Sequence, residues 1–194
     1  MPSAGDRHAF HPWNEDKMKR TVFALTTAVA ALTFAGGAEA QGPLSVEVRG
    51  GFAFPTGSFA DFEGGLSNAY TVGANARFQV TPMLGIYGGY SFTAFSRDAG
   101  GTGVDVAGPE GGVIASFAGG SLSPFVKGGV VYQTIDDQHG HELERNLGFE
   151  VGGGVEIPLG RTISFTPAVS YTSIPSNETD VSHVKADVGM RFRF

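Results

Sequence analysis

The run Asp136, Asp137, Gln138, His139, Gly140, His141, Glu142 sets two imidazoles among three carboxylates. Those are groups that hold zinc or copper. The spacing works against it: residues two apart on an extended chain point to opposite sides, so a shared ion needs a specific turn at Gly140. A surface loop rarely supplies the fixed geometry such an ion demands. His139, His141 and Glu142 therefore stand as weak metal candidates beside the plainer reading of a solvated acidic loop, and no cofactor is expected. Nucleophilic chemistry has less support still. Cysteine is absent, and Ser182 and His183 are adjacent in an alternating segment, which sends them to opposite faces. No Ser, His and acid set follows from local spacing, so no catalytic residue is expected. A formal charge of −6 also excludes nucleic acid, whose phosphates need a basic face.

The remaining charged residues gain meaning from the segments that carry them. From Leu44 onward side-chain character changes with period two, the period of a strand. The last segment is the cleanest. Val184, Ala186, Val188, Met190, Phe192 and Phe194 share one face, and His183, Lys185, Asp187, Gly189, Arg191 and Arg193 share the other. The same sorting recurs over Leu44 to Phe54, Tyr70 to Val80, Leu147 to Ile157 and Thr162 to Thr172. Leu84 to Phe95 and Phe125 to Ile135 supply two more strands. Ala107 to Phe117, diluted by glycine and Pro109, completes a count of eight.

With the apolar face outward, the inner face carries Arg49, Arg77, Lys127, Lys185, Arg191 and Arg193 against Glu47, Glu110, Glu150, Glu156 and Asp187. In the core of a soluble sandwich each of these would cost several kcal/mol unless paired, so a polar lumen is the cheaper arrangement. Opposed rows of charge in a lumen allow two readings, a static ion-pair plug or a gate on a narrow water path. Eight strands leave an interior that side chains just fill, which favours the plug. Tyr70, Tyr90, Tyr132 and Tyr171 fall on the lipid side and suit the headgroup level, whereas Tyr87 points inward.

Met18 to Ala40 has a basic start at Lys19 and Arg20, an apolar run to Phe34 and small residues at Ala38 and Ala40. This reads as a secretory signal peptide cleaved after Ala40, the run being shorter than the roughly 20 residues of a spanning helix. Translation is expected to start at Met18, which leaves 1–17 an untranslated or misassigned leader, 18–40 the signal and 41–194 the barrel.

Connections are expected to alternate long and short: Pro55 to Asn68, Thr81 to Met83, Ser96 to Val106, Ala118 to Ser123, Asp136 to Arg145, Pro158 to Arg161 and Ser173 to Asp180. Long external loops and short periplasmic turns, with both chain ends in the periplasm, suit an outer-membrane barrel. The external loops hold Asp61, Glu63, Asp98, Asp105, Asp136, Asp137, Glu142, Glu144, Glu178 and Asp180 against Arg97 and Arg145. The acidic surplus therefore faces outward, where divalent cations would bridge it weakly to lipopolysaccharide.

A signal peptide, eight alternating strands, inner-face glycines and the terminal VGMRFRF together resemble the small outer-membrane β-barrels of the OmpA transmembrane-domain, OmpX and opacity-protein type, over residues 41–194. The resemblance implies an eight-stranded antiparallel up-and-down barrel, exported by the general secretory pathway and monomeric in the bacterial outer membrane. It also implies that Met190, Phe192 and Phe194 form the signal read by the barrel-assembly machinery. The expected function is a non-catalytic scaffold for envelope integrity or surface interaction with an external ligand or host surface. A narrow channel for ions or small solutes is the alternative, and a lipid A-modifying enzyme comes third.

Overall fold

The computed structural model describes residues 42–60, 68–96, 103–117, 121–137, 142–175 and 180–194. Eight strands follow one another: β1 (Leu44–Pro55), β2 (Ala69–Gln79), β3 (Leu84–Phe95), β4 (Val104–Ser116), β5 (Ser123–Asp137), β6 (Glu142–Pro158), β7 (Ile163–Ile174) and β8 (Val181–Arg193). Each pairs antiparallel with its sequence neighbours and β8 returns to β1, so the sheet closes into an up-and-down barrel with no free edge. Among the described residues no helix is long and apolar enough to cross a membrane. The crossing elements are the strands.

Closure fixes the register, and register fixes which side chains share the interior. Ser45 faces both Arg77 on β2 and Arg193 on β8, and Glu47 faces Asn75 and Arg191. A slip of one residue would turn every charged side chain into lipid. The outer wall carries what a soluble protein buries: Phe52, Ile86, Val113, Val130, Leu147 and Val188 are all exposed. Tyr70, Tyr90, Tyr132 and Tyr171 stand among them, with Tyr70 against Phe92 and Tyr171 against Phe149, while Tyr87 is buried inside.

Two prolines leave their mark on the ladders. Pairing between β4 and β5 is interrupted at Gly108 and Pro109, and between β6 and β7 around Pro167. Proline has no N–H to donate, so it fits where the ladder on one side is open.

The strands overrun the bounds expected from sequence at one place in particular. Asp136 to Arg145 reads as a long loop, yet β5 runs to Asp137 and β6 starts at Glu142, which leaves only 138–141 between them. Thr134 pairs with Arg145, Ile135 with Glu144 and, past a bulge, Asp136 with Glu142. Beyond the apolar band both faces of a strand meet water, so charged residues no longer mark the end of pairing. Likewise β4 begins at Val104, and Asp105 lies on it beside Asp136 of β5.

Candidate functional site

The lumen is built in three levels, counted from the end that holds residues 44 and 193. At the lowest and middle levels the side chains are charged. Arg191 Nη2 lies 2.5 Å from Glu47 Oε2, and Arg191 and Arg193 both reach Glu156. Arg77 Nη1 stands 3.9 Å from the same Glu156, while its Nη2 donates to Gln79 Oε1 at 2.8 Å and Ser116 Oγ at 2.7 Å. Higher up, Glu150 holds Lys127 at 2.6 Å and Lys185 at 2.5 Å through different carboxylate oxygens, and Arg49 pairs with Glu110. The Lys127 ammonium also lies 5.6 Å from the Tyr87 ring centre, and the Arg191 guanidinium 5.8 Å from that of Phe125. Asp187 is buried on the same wall. All eleven charged residues named from the strand parity lie on the inner wall; nine are buried, and Lys127 and Arg193 are of intermediate exposure.

Glycines make this crowding possible. A Cβ at Gly129 would stand 2.7 Å from Tyr87 Oη, and one at Gly189 would stand 2.5 Å from Thr166 Oγ1 and 3.1 Å from Glu47 Cγ. Small inward positions leave room for side chains that reach over from other strands.

A narrow polar belt follows. Thr93 Oγ1 donates to Thr71 Oγ1 at 3.0 Å, and Gln133 Nε2 to Ser91 Oγ at 3.0 Å. Above it the lumen is apolar: Phe95, Val106, Val131, Ile135, Ile174 and Val181 are buried inward-facing residues. The chain leaving β1 makes a single 3₁₀ turn, Gly57–Phe59, that enters this mouth. Its Phe59 ring meets Phe95 edge-to-face at 5.1 Å, and Phe95 in turn meets His183 at 5.5 Å. The turn is tied down where Thr56 N donates to Ser182 O at 2.9 Å.

This apolar cap was not anticipated from the residue pattern. The signal was there: Phe95, Ile135, Ile174 and Val181 occupy inward parity near the distal strand ends, and apolar residues have no reason to face a wet lumen.

The filling leaves little room. A cavity of about 20 Å³ remains among Glu47, Arg49, Arg77, Tyr87, Lys127 and Arg191, enough for about one water. A second, of about 300 Å³, opens at the terminal mouth.

Other candidates lie elsewhere. His139 and His141 fall outside the described residues, as do Ala38 and Ala40, and Glu142 opens β6. Among the described residues no three His, Cys, Asp or Glu side chains converge in a way that would hold a metal ion. Met190 and Phe192 lie on the lipid side of β8, and Phe194 N donates to Leu44 O at 3.2 Å as the sheet closes.

The profile of the family described as outer membrane protein beta-barrel domain matches residues 21–194. Among solved structures, Neisserial surface protein A superposes with a TM-score of 0.65 at 14% identity, covering 81% of this chain and 100% of that one. The N-terminal β-barrel domain of Pseudomonas aeruginosa OprF gives 0.51 at 15% identity, over 79% and 100%. No curated protein sequence matches the chain.

Proposed function

From the premise that this chain belongs to the outer membrane protein beta-barrel domain family, and so is a small barrel of the bacterial outer membrane, we propose that it is a non-conducting, non-catalytic scaffold. Its outward connections and distal strand ends would meet the cell's surroundings, serving envelope integrity or surface interaction. The observation that carries this reading is the doubly closed lumen. An apolar cap around Phe59 and Phe95 lies above a level of paired charges whose free space is about 20 Å³. An interior so filled offers a hydrated ion little room, which supports the scaffold reading.

The test is single-channel recording of the purified protein in a planar bilayer, with folding checked by heat-dependent gel mobility. Silence supports the scaffold. Discrete, reproducible openings would replace it with the narrow-channel reading and make the ion pairs a gate.

Three partners accompany the proposal. Lipopolysaccharide is one, bridged through divalent cations to acidic groups such as Asp105 and Asp136, which lie side by side at the distal end of β4 and β5. Unchanged lipid association after chelation would remove it. The barrel-assembly machinery is another, reading Met190, Phe192 and Phe194, with export through the general secretory pathway before it. An external ligand or host surface at the loops is the third. The closed sheet has no edge to pair with a second copy, which supports a monomer.

A further inference from the structure

At the mouth where β1 starts and β8 ends, a cavity of about 300 Å³ is lined by Gly42, Pro43, Leu44, Ser45, Gln79, Arg161 and Arg193. Its polar lining offers donors in excess of acceptors. Arg193 gives one guanidinium nitrogen to Glu156, yet its side chain remains 34% exposed toward the mouth. Arg161, on the turn between β6 and β7, is exposed, and among the described residues no ion pair engages it. The Gln79 amide, whose oxygen accepts from Arg77, turns its Nε2 to Thr81 O at 2.8 Å.

Behind this lining stands Arg77. It is 5% exposed, and its Nε and Nη1 have no hydrogen-bond acceptor, the Glu156 carboxylate being 3.9 Å away. The register sets Arg77, Ser45 and Arg193 in one row across β2, β1 and β8. Four guanidinium groups, Arg77, Arg161, Arg191 and Arg193, therefore gather at this end. They face two side-chain carboxylates, Glu47 and Glu156. Positive charge is left in excess in a concave site.

We propose that this mouth is a binding site for a phosphate group. Both ends of an even-stranded outer-membrane barrel lie in the periplasm, so the mouth sits level with the headgroups of the inner leaflet. Arginine forks match phosphate oxygens in pairs, and a cation in a concave, poorly solvated setting attracts an anion more strongly than one on an open surface. The volume is about ten times the roughly 30 Å³ share of one water, which accommodates a phosphate ester together with part of its headgroup. Two sources share the chemistry: free inorganic phosphate, and the phosphodiester of an anionic phospholipid. The inference rests on the outer-membrane setting and is independent of whether the lumen conducts.

The experiment uses the purified protein in phosphate-free maltoside micelles, followed by backbone amide resonances of Ser45, Gln79 and Arg193. Inorganic phosphate is titrated in one arm and phosphatidylglycerol in the other, each against chloride at matched ionic strength. Saturable shifts confined to the mouth are expected. They should weaken about tenfold or more in Arg161→Gln with Arg193→Gln, the scale of losing charge-assisted hydrogen bonds. A response to inorganic phosphate, alone or with the lipid, supports the site with free phosphate as an occupant. A response to the lipid alone supports it with the headgroup as the source. Shifts matched by chloride, no shifts in either arm, or shifts unchanged in the variant would overturn it. Should the double variant fail to fold, Arg161→Gln alone serves, because among the described residues no ion pair engages that side chain; Arg145→Gln, at the distal end, is the control expected to bind normally.

Discussion

Glu150 is the residue whose loss the lumen should tolerate least. Its carboxylate is buried, and its two oxygens hold Lys127 at 2.6 Å and Lys185 at 2.5 Å, with Thr172 Oγ1 at 3.4 Å from the second. Changing Glu150 to Gln keeps the shape and removes the charge, so two ammonium groups lose the carboxylate that holds them both. Coulomb attraction at such separations is about 6 kcal/mol per pair for an effective dielectric constant near 20. Much of that is offset by desolvation, and the measured cost of breaking a buried pair is about 3–5 kcal/mol. Two lysines share one carboxylate, so the losses are not additive; about 4–5 kcal/mol is expected for the variant. The assay is reversible urea unfolding of the refolded barrel in lipid vesicles, scored by gel mobility. A companion variant, Lys127→Met with Glu150→Leu and Lys185→Met, removes all three charges and should lie closer to the native protein than Glu150→Gln does, because no uncompensated charge remains. A Glu150→Gln variant within about 1 kcal/mol of the native protein would refute the pairing argument, since exposed salt bridges contribute that little.

Other consequences follow from the same interior. Gly189→Ala should destabilise the barrel by about 1–3 kcal/mol, the range for overpacking, because its Cβ meets Thr166 and Glu47; Gly88→Ala, whose nearest neighbour is 3.9 Å away, should be close to neutral in the same urea titration. Phe59→Ala should cost about 3 kcal/mol, toward the low end for a buried Phe, since the turn that carries it sits at a mouth. Hydrogen exchange should then speed at Thr56 and Ala60, whose amides are held by Ser182 O and Gly57 O, and unchanged exchange would show that the cap does not hold the turn. Deleting Phe194 should lower the yield of assembled barrel in the outer membrane without changing refolding in detergent, and equal loss in both would make the residue structural.

The period-two pattern made most of this barrel legible before any coordinates. Side chains at inward parity on β8, such as Lys185, Asp187 and Arg191, differ so sharply from Val188 and Met190 between and beside them that only a strand with unlike faces suits them. Eight such strands then left closure as the arrangement that hides every edge. Strand ends were harder to read. Past Ile135 the run turns mostly polar, so composition no longer marks which face is inward. Composition cannot distinguish a solvated strand from a loop, whereas backbone pairing can. The partners within the lumen were beyond the pattern for a different reason. Parity names a wall, but which carboxylate meets which cation depends on shear and stagger around the closed sheet, and Arg49 of β1 reaches Glu110 of β4 across the interior rather than a strand neighbour.

The two closures of the lumen differ in what they contribute. Paired charges of the Glu47, Glu150 and Glu156 kind come close to break-even against desolvation, so they account for specificity of register more than for stability. A slip of one residue would strand several charges in lipid at about 2–4 kcal/mol for each cation near the midplane. The apolar cap works in the opposite way. Phe59 and Phe95 withdraw large surfaces from water and lose little if their neighbours shift, so the cap supplies net stabilisation and little register information. The placement of Phe59 on the connection after β1, tied to β8 through Thr56 and Ser182, closes the distal end using the strands that also close the barrel. Packing of the 3₁₀ turn and closure of the barrel are thereby coupled.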